Sequence, residues 1–139
     1  MASKKKSIGK YRIVEELARG PLGSVYRAED TSRQRTIVAL KLIHAVQFAS
    51  AQECSAFLQE AQLLTTLKHP YILPVLEAGI DDQGFPYLVT AYAPNGSLDD
   101  RLKQQSPRPL PLQEVLTILV QLGQALHYAH QQNVIHRDL

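Results

Sequence analysis

A single charge interrupts an otherwise apolar, β-prone run, Thr36-Ile37-Val38-Ala39-Leu40-Lys41-Leu42-Ile43. A run of this length, rich in β-branched residues, is a strand before it is anything else, and its near-continuous apolarity is that of a strand covered on both faces. By the two-residue alternation of a strand, Ile37, Ala39 and Lys41 share one face while Val38, Leu40 and Leu42 share the other. A lysine in that position needs a reason. Either its ammonium snorkels to solvent from the strand end, or it meets an anion, and the small Ala39 two residues earlier leaves room beside it for a flat ring.

The segments around this run have strand and helix signatures of their own. Tyr11–Leu17 and Ser24–Ala28 read as a hairpin around Arg19-Gly20-Pro21-Leu22-Gly23. Glycines at such a turn let the backbone approach a polyanion and donate amide hydrogen bonds to it, while Pro21 stiffens the tip and removes one donor. Ser50-Ala51-Gln52-Glu53 fits a capping box, and the helical pattern behind it continues to Lys68-His69 before Pro70 stops it. Along it Phe57, Leu64 and Leu67 form a stripe into which Glu60 falls, and an inward carboxylate is costly unless a cation meets it. Ile72–Ile80 and Phe85–Tyr92 read as two further strands joined by the reverse turn Asp81-Asp82-Gln83-Gly84. The expected class is α+β, a five-stranded antiparallel sheet with one helix.

The rest of the chain is helical. Ala93-Pro94-Asn95-Gly96-Ser97-Leu98 leaves the sheet and leads to a short helix near Asp99–Lys103, and Asn95-Gly96-Ser97 is read as a turn. A proline-rich connector, 104–111, ends at Pro111, which with Glu114 marks the start of a long helix from Leu112 to about Gln131. Apolar residues lie nearly all round it, so it belongs in a core, and without partners it exposes a large patch. Gln121, Gln124 and His127 keep its apolar run far below the roughly 20 residues a membrane span needs. His127 and His130 are one helical turn apart, but no further ligands accompany them, so no metal site is assigned.

Composition narrows the partners. With 15 Lys and Arg against 13 Asp and Glu, the net charge of +2 over 139 residues argues for neither a nucleic-acid nor a membrane-surface binder. One cysteine, Cys54, allows no internal disulfide and is expected to be buried filler. The basic start Met1–Lys6 has no apolar segment behind it, so it is not a secretory signal, and a cytoplasmic setting is the expectation.

The last four residues, His136-Arg137-Asp138-Leu139, arrive on the apolar run Asn133-Val134-Ile135 after the long helix. Together with the segments upstream they resemble the protein kinases, of bacterial Ser/Thr type, over nearly the whole chain and about half of a kinase domain. Val38-Ala39-Leu40-Lys41 resembles the strand signature whose lysine contacts the α- and β-phosphates of ATP, and Glu60 matches the helix glutamate that pairs with it. The glycine pattern falls on Ala18, Gly20, Gly23 and Val25, with Ala18 departing from the first glycine.

The resemblance implies a nucleotide site formed by Leu17, Ala18, Gly20, Gly23, Val25, Ala39 and Lys41, with Thr90 at the back and Ala91, Tyr92 and Ala93 as the adenine-binding connector. It makes Asp138, Lys41 and Glu60 the catalytic group, with Asp138 accepting or orienting the proton of the substrate hydroxyl. Residues 1–10 become a disordered basic tail, 11–92 the N-terminal lobe with its regulatory helix, and 93–139 the hinge and the first helices of an incomplete helical lobe. The implied activity is transfer of the ATP γ-phosphate to Ser or Thr hydroxyls of proteins. ATP and Mg²⁺ are the cofactors, and the metal ligands, a catalytic-loop Asn and a D-F-G Asp, are expected beyond Leu139. A chain ending there is expected not to turn over. The alternative is a non-catalytic, pseudokinase-like module that binds nucleotide or a partner, consistent with Ala18 and the missing metal ligands.

Overall fold

The computed structural model of the chain describes residues 7–44, 48 and 50–136. They form two compact units, the first comprising Met1–Thr66 and Pro74–Tyr92 and the second Leu67–Leu73 and Ala93–Leu139.

The first unit is a sheet with one helix. Its strands are β1 (Ser7–Ile8), β2 (Tyr11–Arg19), β3 (Gly23–Asp30), β4 (Thr36–Ile43), β5 (Val75–Ile80) and β6 (Pro86–Ala91), all antiparallel in the order β1-β2-β3-β4-β6-β5. Six strands replace the expected five. The additional one is the two-residue β1, in a stretch assigned to a disordered tail. Ile8 is the reason it orders: its side chain is 1% exposed and lies in the main core with Tyr11, Ala28, Val38, Leu40, Leu42, Tyr87 and Val89.

The sheet is closed by a polar clasp as well as by apolar packing. Glu77 on β5 accepts hydrogen bonds from the hydroxyls of Tyr11 on β2 and Tyr87 on β6, both at 2.8 Å, and Lys10 pairs with it at 2.6 Å. The two rings meet edge to face at 6.2 Å. β2 and β5 are far apart in the strand order, so a contact between Tyr11 and Glu77 requires the sheet to curl. Gly79 makes room for it, since a Cβ there would stand 2.7 Å from the Tyr87 hydroxyl.

β4 has the bounds expected of it, but only one of its faces is covered. Val38, Leu40 and Leu42 are in the core, whereas Ile37 and Lys41 are exposed. The hairpin from β3 to β4 turns through Gln34 and Arg35, at φ +48° and +60°, with the Thr36 amide donating to the Arg33 carbonyl at 2.9 Å. Two successive positive φ values at the centre of the Arg33–Thr36 turn are the requirement that Asn-Gly meets and that Gln-Arg meets only under strain. Replacing Gln34-Arg35 by Asn-Gly is therefore expected to stabilise the chain by about 1 kcal/mol, read as a higher urea midpoint at unchanged m-value.

Helix α1 (Ala51–Leu64) packs on β5 and β6. Ser50 caps it by accepting from the Glu53 amide at 3.2 Å. It stops well short of the expected Lys68-His69, because Thr65 and Thr66 turn their hydroxyls back onto the carbonyls of Gln62 and Leu63 at 2.6 and 2.7 Å, and their amides follow. The residue it buries is Ala61, while Phe57 and Leu64 are half-buried and Glu60 is exposed rather than part of the buried stripe. Cys54 is half-buried, not buried filler.

The second unit contains α2 (Leu98–Gln105) and α3 (Leu112–Gln131). A full capping box, Ser97 with Asp100, starts α2 after a turn in which Gly96 has φ +79°. Arg101 on α2 grips Glu114 on α3 through two hydrogen bonds of 2.9 Å. Leu67–Leu73 docks in the same unit: the Tyr128 hydroxyl accepts from the Lys68 amide at 3.1 Å, and the His69 ring lies 5.1 Å from the Tyr128 ring. Leu112, Leu116, Leu119 and Val120 stand exposed along α3. No helix among the described residues is long and apolar enough to cross a membrane.

Candidate functional site

The open face of the sheet carries the nucleotide candidates. Register partners in neighbouring antiparallel strands point to the same side. One row across the sheet is Ala18, Val25, Lys41 and Leu88, and the next on the same face is Glu15, Arg27, Ala39 and Thr90. Four strands thus bring Ala18, Val25, Ala39, Lys41 and Thr90 together around a lysine whose side chain is exposed. Leu17, 44% exposed, is the extra residue where the β2–β3 register slips between Glu16 and Ala18.

The two glycines of the loop have different reasons to be there. Gly23 is buried against β4, and a Cβ on it would lie 2.3 Å from the Leu42 carbonyl oxygen, so the close approach of the two strands demands glycine. Around Gly20 there is nothing within 4 Å. Its amide donates to the Gly23 carbonyl at 2.9 Å, and the tip is tied down where the His44 amide donates to the Leu22 carbonyl at 3.1 Å. In this arrangement the Gly20 amide serves the turn.

At the end of β6 the Ala91 amide donates to the Pro74 carbonyl at 2.9 Å, and the Ala91 carbonyl accepts from the Thr90 hydroxyl at 3.1 Å. Tyr92 closes the first unit, and Ala93 opens the second segment of the other.

Lys41 stands on β4 and Glu60 on α1. Both are exposed. Helix α1 makes its main contacts with β5 and β6. Asp138 lies outside the described residues, as do Arg137 and Leu139. The approach to them is described. Helix α3 ends in a Schellman motif, with Asn133 at φ +59°, its amide donating to His130 at 3.0 Å and the Val134 amide to Ala129 at 2.9 Å. That left-handed residue turns the chain out of the helix toward His136. The side chain that sequence reasoning passed over is Arg27, which shares a row with Ala39 and Thr90. The two-residue period was the signal that could have found it.

Among the described residues no group of three or more His, Cys, Asp or Glu side chains could hold a metal ion. The face does suit a nucleotide, with an exposed cation beside a small residue and a glycine turn.

A family model described as protein tyrosine and serine/threonine kinase matches residues 11–139. This chain belongs to the protein kinase family. It is 35% identical over 129 residues to the serine/threonine-protein kinase Nek4 of Mus musculus, covering 93% of this chain and 16% of that one. It is 34% identical over 132 residues to the DNA damage-responsive serine/threonine-protein kinase RqkA of Deinococcus radiodurans, covering 94% and 19%. The crystal structure of the Mycobacterium tuberculosis PknI kinase domain superposes with a TM-score of 0.84 at 27% identity, covering all of this chain and 55% of that one. The chain thus spans a small part of the curated kinases it matches and a little over half of a solved kinase domain. Kinases of this family use ATP and a divalent metal in general.

Proposed function

We propose that this chain supplies the ATP-binding half of a serine/threonine protein kinase, which transfers the ATP γ-phosphate to Ser or Thr hydroxyls of proteins. The observation that carries this reading is the exposed Lys41 on one face with Ala18, Val25, Ala39 and Thr90. In it, Leu17, Ala18, Val25 and Ala39 flank the base and Thr90 forms the back of its pocket. The Ala91 carbonyl and the backbone of Tyr92 and Ala93 meet the adenine edge. Gly20 and Gly23 bring the turn over the phosphates, and Lys41 takes the α- and β-phosphates. Glu60 holds Lys41 in place, and Asp138 takes the proton of the attacking hydroxyl. Mg²⁺, when bound, would supply positive charge against the triphosphate, and no group of three or more His, Cys, Asp or Glu among the described residues would hold it. The partners are ATP and a protein substrate, and the setting is the cytoplasmic ATP pool.

Relatives named serine/threonine-protein kinases favour this reading over a non-catalytic module. The test is thermal. At ATP a hundredfold above Kd, binding adds about 2.7 kcal/mol, a rise of several degrees in melting temperature. Lys41→Met is expected to abolish that rise while leaving the melting temperature without ATP unchanged, since Lys41 is exposed. A folded protein showing no rise with ATP would overturn the reading.

A further inference from the structure

Arg27 is an anomaly on the open face. It is half-buried on β3, opposite Ala39 on β4 and Glu15 on β2, in the row that ends at Thr90. Its Nε lies 3.0 Å from Glu15 Oε1, within ion-pair distance. Yet that nitrogen is enclosed and makes no hydrogen bond, so its N–H is not directed at the carboxylate it neighbours. An enclosed donor left without an acceptor is costly, and cross-strand ion pairs with good geometry are readily available to Arg. Glu15 therefore holds the guanidinium in place by charge at its enclosed Nε, and about a third of the Arg27 side chain stays open to solvent.

The position of Arg27 along the strand decides what it can touch. Gly23, Val25 and Arg27 follow one another on the same face of β3, each about 6.6 Å beyond the last. With phosphates at the glycine turn and Lys41, and the base over Val25 and Ala39, Arg27 is one row farther from the phosphates than Val25 and Lys41 and level with Ala39. We propose that Arg27, braced by Glu15, donates to the nucleoside portion of the bound nucleotide, a ring nitrogen, exocyclic oxygen or ribose oxygen, and not to its triphosphate. This rests on the nucleotide reading above and adds a specificity-determining residue to it.

The test separates the two halves of the ligand. ATP, adenosine and inorganic tripolyphosphate are titrated calorimetrically into the whole 139-residue chain as wild type, Arg27→Met, Arg27→Lys and Lys41→Met. Methionine keeps most of the packing of the arginine stem, and lysine keeps the charge. Arg27→Met is expected to weaken ATP and adenosine by the same factor, roughly tenfold for a charge-assisted hydrogen bond, with tripolyphosphate unchanged. Arg27→Lys recovers part of that loss, and Lys41→Met shows the opposite pattern, losing ATP and tripolyphosphate but keeping adenosine. If Arg27→Met weakens tripolyphosphate as much as ATP, or leaves adenosine untouched, the assignment of Arg27 is wrong and the nucleotide reading stands. Should the folded wild type bind none of the three, both fall.

Discussion

Glu77→Ala is expected to destabilise the chain by about 3 kcal/mol, because it orphans two tyrosine hydroxyls at roughly 1–3 kcal/mol each. Tyr11 and Tyr87 are 2% and 9% exposed, so water cannot readily replace the lost acceptor. Glu77→Gln keeps one acceptor and is expected to cost less, about 1 kcal/mol. Urea unfolding followed by tyrosine fluorescence reads both directly, since the chain has six tyrosines and no tryptophan. A loss no larger for alanine than for glutamine would mean that the clasp contributes nothing beyond its packing.

The same cluster sets a pH window. Burial works to raise the Glu77 carboxyl, but its bonds from Lys10, Tyr11 and Tyr87 outweigh that and hold it below the ordinary 4.5. A depressed carboxyl contributes stability that is present above pH 4.5 and lost as pH falls through the folded value. Tyr87 has the opposite sign: burial, then its bond to Glu77, push it from 10.0 up to about 12. Its contribution is complete below pH 10 and lost as pH rises toward about 12. Tyr11 is raised too, chiefly by burial. The stability difference between wild type and Glu77→Gln should therefore be flat near neutrality and narrow at both extremes.

Gly23→Ala is expected to cost about 3 kcal/mol, at the upper end of overpacking penalties, since the added methyl meets a backbone oxygen 2.3 Å away and neither strand can yield alone. Gly20→Ala should leave stability within about 0.5 kcal/mol, because nothing lies within 4 Å of the added carbon. The paired variants divide a motif usually treated as one. If Gly20→Ala weakens ATP binding at unchanged melting temperature, Gly20 serves the ligand, whereas loss at Gly23 is loss of fold. Equal destabilisation by the two would contradict the loop geometry.

Local pattern was enough where a segment has one consistent period. β4 and α3 begin and end where their apolar runs do, Thr36–Ile43 and Leu112–Gln131. The turn at Asp81–Gly84 also followed from composition: Asp81 Oδ1 accepts from the amides of Gln83 and Phe85, at 2.9 and 2.8 Å, and Gly84 has φ +85°. Where hydroxyls compete for backbone, period misleads, and the Thr65-Thr66 pair ends α1 early. A two-residue strand such as β1 has no period to detect, and only the burial of Ile8 reveals it. At the site, the shared face of Ala39 and Lys41 was legible because alternation is a property of one strand. The seat of α1 on β5 and β6 was not, since it depends on packing between elements and not on the period of either. Nor was the Tyr11–Glu77 bond, which joins residues 66 positions apart.

Leu67–Leu73 belongs to the second unit although the chain on either side of it belongs to the first, so the polypeptide passes from one to the other three times. Bodies joined by one thread can be cut apart at that thread; these are laced. An expression boundary after Tyr92 would retain Lys68 and His69 but discard Tyr128, stripping the lace of the ring it leans on. Any shorter version of this protein must carry Tyr128 with it or redesign residues 67–73 to stand alone.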